Sequence, residues 1–80
     1  MSEYDLKLYT SKGCIYCLKV TAFLEKNGIE IAMEEPFNDM KEFEAFMSLT
    51  GGSQVPCLMI NGEPMRESDD IIAWIKETLL

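Results

Sequence analysis

The stretch Thr10–Val20, TSKGCIYCLKV, carries two cysteines three apart, just behind a lysine and a glycine. Ahead of it, YDLKLY (Tyr4–Tyr9) alternates, with Leu6 and Leu8 on one face, and reads as a strand. Behind it, Cys17, Val20, Phe23 and Leu24 recur at helical spacing from Cys14 onward, and Gly28 is a stop signal. The pair therefore stands where a first strand hands over to a first helix. The spacing alone admits three uses: half of a metal site, an incidental structural pair, or a redox couple.

The remaining elements extend this start. IEIAME (Ile29–Glu34) alternates again and reads as a second strand, which Pro36 ends. Asn38 or Asp39 caps a second helix whose apolar stripe is Met40, Phe43, Phe46 and Met47, and TGGSQ closes it. VPCLMI is a short apolar strand. Asn61-Gly62 is a strong hairpin signal, and EPMR is the partner strand, marked as an edge by Pro64. Ser68 caps a final helix, with Asp69 and Asp70 in its first turn and Ile71, Ile72, Ile75 and Leu79 on its buried face. The order is βαβ–α–ββα. A parallel first unit and an antiparallel hairpin give an α/β fold, one mixed four-stranded sheet flanked by three helices, which is the minimal thioredoxin-like architecture.

The bulk numbers bound the rest. Eighty residues are expected to form a single domain, 1–80, burying about 60% of its unfolded surface. At 48% apolar, the chain can fold without a metal or a set of disulfides. No apolar run approaches the roughly 20 residues that span a bilayer, and the N-terminus has no secretory pattern, so the expected location is cytoplasmic. Seven basic against fourteen acidic residues leave a net charge of −7, which argues against nucleic acid and against anionic membranes as partners. The three cysteines are an odd number, unlike a secreted disulfide scaffold, and the absence of histidine removes every Cys–His catalytic pair.

At a strand-to-helix junction the two cysteines become unequal. A helix start exposes unpaired N–H groups and the positive end of the dipole, and it stabilises a thiolate. Cys14 is therefore the candidate nucleophile. Cys17, one turn later on the stripe of Val20 and Leu24, is the buried resolving thiol. Zinc wants four ligands, and only Cys57 and carboxylates remain to complete a site, so no metal is expected. Cys57 itself reads as a small buried hydrophobe.

Three stretches in order, LYTSKGCIYC, SQVPCL and ESDDI, resemble the glutaredoxins, with a secondary likeness to the N-terminal domain of glutathione transferases. CIYC is similar to the CPYC of dithiol glutaredoxins, QVP to the segment before the family's cis-proline strand, and ESDDI to helix starts in both families. The resemblance implies a glutathione-dependent oxidoreductase. It would act on disulfide-bonded or glutathionylated proteins, with glutathione as reductant; separately from the resemblance, a monomer is expected. The resemblance also implies roles. Cys14 attacks and Cys17 resolves. Pro56 is cis, and Val55 lends its backbone to the cysteine part of glutathione. Ser68 meets the γ-glutamyl carboxylate and Asp69 its amino group, while Tyr16 flanks the groove. Lys12, one place after the family's usual lysine, is the candidate for the glycyl carboxylate. Arg66 and Lys19 are further cations among which the sequence does not choose. Ile15 stands where the family usually has proline. Two other functions fit the same residues: a redoxin recharged by thioredoxin reductase, and a non-catalytic module binding glutathione or a [2Fe–2S] cluster.

Overall fold

A computed structural model describes residues 4–80. In chain order the elements are β1 (Leu6–Tyr9), α1 (Ile15–Lys26), β2 (Ala32–Glu34), α2 (Met40–Thr50), β3 (Cys57–Ile60), β4 (Glu63–Met65) and α3 (Ser68–Thr78). They form one four-stranded sheet in the order β2-β1-β3-β4. β1 pairs parallel with β2 and antiparallel with β3, which pairs antiparallel with β4. This is the mixed sheet with three helices expected from the sequence.

Strand alternation divides the core between the two faces of the sheet. Leu8 and Leu58, partners across β1 and β3, pack with Val20 and Leu24 of α1 and Ile71 and Ile75 of α3. Tyr9, Cys57 and Met59 point the other way and pack with Phe46 of α2. The Tyr9 and Phe46 rings lie 4.8 Å apart, and Phe37 joins Phe46 from the loop before α2.

The second strand is shorter than the alternation suggests, and the end of α1 is the reason. Gly28 adopts φ +65°. Its N–H bonds to the Glu25 carbonyl, and the Ile29 N–H reaches back to Leu24 at 2.9 Å. That pair of bonds is a Schellman closure, and it draws Ile29 into the helix end instead of the strand. Ile29 and Ile31 still pack against the Leu24 cluster. The first strand likewise begins at Leu6, not Tyr4.

Other local signals act as the sequence implies. Asp39 caps α2, its carboxylate accepting the Glu42 N–H at 2.8 Å. Asn61 and Gly62 both take positive φ, as a tight two-residue hairpin demands, and β4 with Pro64 is an edge strand. Two expectations are corrected. The stripe of α2 is only partly core: Phe46 is buried and Phe43 half-buried, whereas Met40 (73% exposed) and Met47 (42%) face outward. Only Phe46 and Thr50, one turn apart, are buried along this helix. The cap of α3 is Glu67, not Ser68. The Glu67 carbonyl accepts the first helical bond, from Ile71 at 2.8 Å, and Ser68 is already the first helical residue. No described helix is long and apolar enough to cross a membrane.

Candidate functional site

The sheet register brings three loops to one edge. Tyr9 pairs with Cys57, so the loop leaving β1 runs beside the segment entering β3. Leu58 pairs with Met65, so β4 delivers Arg66, Glu67 and Ser68 to that same edge. Three separated stretches of sequence, around Cys14, Val55 and Ser68, thereby become neighbours.

Cys14 is the N-cap residue of α1, with an extended backbone. Its sulfur accepts the Cys17 N–H at 3.2 Å, the bond that a serine or aspartate oxygen makes at other helix starts. A first-turn N–H and the positive end of the helix dipole both face the sulfur. In the thiol state the same sulfur has a long, weak contact of 3.9 Å to the Val55 carbonyl. Cys14 is partly exposed, whereas Cys17 is 2% exposed. Burial, followed by the contact with Cys14, pushes the Cys17 thiol up to about 12, although the backbone at Ser11 opposes this in part. The pair is thus one accessible sulfur and one protonated, buried thiol on the same turn. Cys57 lies in the other core, and burial raises its thiol too, against the pull of the Arg66 charge. All three cysteines are free thiols.

The Val55–Pro56 peptide is cis. Among the described residues the Val55 N–H has no hydrogen-bond partner, so an extended ligand backbone can pair there. Tyr16, Gln54, Val55, Pro56, Arg66, Glu67, Ser68 and Asp69 line one cleft of about 210 Å³. It gathers Tyr16, Val55, Pro56, Ser68 and Asp69. Lys12 does not join them. It lies with Ser11, Gly13, Ile15, Leu18 and Thr21 around a separate depression of about 370 Å³, on whose wall Cys14 and Cys17 also stand. Lys19 forms an ion pair with Asp69 on the solvent side.

Two lining residues, Gln54 and Glu67, were not singled out in the sequence. Their signal was membership of the QVP and ESDDI stretches, beside Val55 and Ser68. Around Cys14 the surface is apolar, with Ile15 80% exposed and Tyr16 and Leu18 each 65%. Among the described residues, no group of three or more cysteines and carboxylates is arranged to hold a metal ion.

The glutaredoxin family model matches residues 6–65, which include the cysteine pair and the cis-proline. The uncharacterized glutaredoxin-like 8.6 kDa protein of the rubredoxin operon of Clostridium pasteurianum is 33% identical over 57 residues, 71% of this chain and 76% of that one. Oxidized glutaredoxin 2 of Chlamydomonas reinhardtii superposes with a TM-score of 0.66 at 26% identity, over 92% of this chain and 73% of that one. Glutathione transferase Omega 3C of Trametes versicolor superposes with a TM-score of 0.78 at 25% identity. That match takes in 94% of this chain but 34% of the transferase. The fold is thioredoxin-like, of the glutaredoxin type.

Proposed function

The chain belongs to the glutaredoxin family, and from that premise we propose that it is a glutathione-dependent thiol-disulfide oxidoreductase working through Cys14 and Cys17. The observation that carries the reading is the cap geometry, in which the Cys17 N–H points at an accessible Cys14 sulfur. The Cys14 thiolate attacks the glutathionyl sulfur of a protein–glutathione mixed disulfide. The protein thiol leaves, and Cys14 now carries glutathione. A second glutathione thiolate attacks the bound glutathionyl sulfur, releases oxidised glutathione and restores the Cys14 thiolate. For a protein disulfide, Cys17 supplies the second electron pair. It attacks the Cys14 sulfur, expels the reduced substrate thiol and leaves a Cys14–Cys17 disulfide, which two glutathione molecules reduce. No metal takes part in these steps. Their rates follow thiolate fraction and leaving-group acidity.

Three features support glutathione as the thiol. The Val55 N–H is open to a peptide ligand. The Glu67 side chain makes no bond to the start of α3, so first-turn N–H groups there can receive a carboxylate. The fold is shared with a glutathione transferase. The apolar collar of Ile15, Tyr16 and Leu18 suits a protein substrate. A cytoplasmic location accords with this chemistry, since glutathione keeps that compartment reducing.

Turnover of a glutathionylated protein, coupled to glutathione with its reductase or to thioredoxin reductase, tests the reading. Turnover with the first system is expected to exceed that with the second by at least about tenfold. The reverse order would make the protein a redoxin of thioredoxin reductase. Turnover with neither would leave a binding module.

A further inference from the structure

Arg66 is the single lysine or arginine that lines the cleft holding Val55, Ser68 and Asp69. It is half-buried, and it makes no hydrogen bond or ion pair with another described residue. Two other cations lie nearby but do not line this cleft. Lys12 lies around the separate depression beside the cysteines, and Lys19 is paired with Asp69. The Cys14 sulfur lies 3.9 Å from the Val55 carbonyl, and Val55 lines the same cleft as Ser68 at the start of α3. That end of the cleft carries both signs of charge, Arg66 against Glu67 and Asp69, beside helix N–H groups that no side chain caps.

We propose that Arg66 is a cation that binds glutathione, taking the γ-glutamyl carboxylate together with the first-turn N–H groups of α3. This inference rests on glutathione being the thiol used. The two ends of glutathione differ in a way that decides the orientation. The γ-glutamyl end carries a carboxylate and an ammonium, which matches a site of mixed sign. The glycyl end carries a carboxylate alone. The planar guanidinium can hold a carboxylate through two parallel N–H bonds, a geometry no lysine offers. On a chain of net charge −7, an anionic ligand depends heavily on this one positive group.

Arg66 also reaches toward the end of α2. Its Nη2 lies 3.5 Å from where a Cβ on Gly51 would stand. A purely structural role there would lower stability and slow exchange with every thiol alike. The test must therefore compare thiols. Release of a fluorescent thiol from its mixed disulfide is followed with glutathione, γ-glutamylcysteine, cysteinylglycine and dithiothreitol, for the wild-type chain, Arg66→Leu and Arg66→Lys.

A charge-assisted hydrogen bond of ordinary strength sets the expected loss. Arg66→Leu raises KM for glutathione and for γ-glutamylcysteine about ten- to a hundredfold, with kcat little changed. Rates with cysteinylglycine and dithiothreitol stay as in the wild type. Arg66→Lys falls between, and it carries the test if the leucine variant does not fold. An unchanged KM for glutathione overturns the proposal, as does a loss confined to cysteinylglycine or equal for all four thiols. If the wild-type chain uses dithiothreitol but shows no saturation with glutathione, the premise itself fails. That result is distinct from a glutathione-saturable enzyme indifferent to Arg66.

Discussion

A sulfur atom occupies the cap position of α1, and the two cysteines of the pair sit in unlike surroundings. At Cys14 the backbone turns an orphan N–H toward the sulfur. At Cys17, a turn later, the helix stripe carries the thiol into the interior. The raised value at Cys17 has a consequence for stability. A thiol in the unfolded chain ionises near 9.0, whereas folded Cys17 keeps its proton to about 12. Between those values the native state binds more protons than the unfolded state, so stability present below about 9 is lost as pH rises. One proton contributes at most about 1.4 kcal/mol per pH unit. Urea unfolding of the reduced protein from pH 8 to 10.5 should therefore show a falling midpoint, with a shallower slope in Cys17→Ala. Equal slopes would mean that Cys17 is not held protonated. Cys57→Ala should leave turnover unchanged, since that thiol lies in the other core; a marked drop would assign it a redox role. The unequal burial of Cys14 and Cys17 was legible in the sequence because helical spacing decides which residues face inward. The depression that Lys12 lines was not, because the placement of a loop residue depends on contacts that no periodicity encodes.

The helices differ in how their ends are finished. α1 is capped by a sulfur and closed by the Gly28 turn, α2 is capped by the Asp39 carboxylate, and α3 begins without a side-chain cap. Asp39→Ala removes a bond that satisfies an orphan N–H, and it should lower stability by about 1 kcal/mol without altering exchange chemistry. Matched urea titrations and turnover assays check this, and a loss of activity at unchanged stability would contradict it. The bare start of α3 is the informative exception, since a helix end left uncapped beside a cleft is open to an anion. Ser68 looked like a cap because serine commonly is one. The boundary was set one residue earlier, by the extended Glu67 backbone, and helix boundaries are the least legible feature of any sequence. The second helix was over-read for a related reason. Its four apolar positions fit a helical stripe, but burial needs a facing partner as well as periodicity, and Met40 and Met47 stay exposed.

At the scale of the whole molecule, two small cores share one thin sheet, and the site lies where the sheet ends. Leu58 is fully buried in the inner strand β3 and packs with residues of both α1 and α3. Leu58→Ala should cost about 2–5 kcal/mol, a large part of the roughly 4–12 kcal/mol expected for an eighty-residue domain. Thermal unfolding should shift down by at least about 8 °C, and a shift below about 3 °C would show that this core does not hold the sheet together. The element order was legible because alternation and helical spacing are local. The gathering of Cys14, Val55 and Ser68 came from strand pairing at a distance, and motif likeness supplied it before the register did. The central claim is that Cys14 is the attacking sulfur. Its most direct test is mass spectrometry of Cys17→Ser after incubation with a glutathionylated peptide. One glutathionyl group is expected, on Cys14, with the peptide released as its thiol. An adduct on Cys57, or peptide release that persists in Cys14→Ser, would contradict the account.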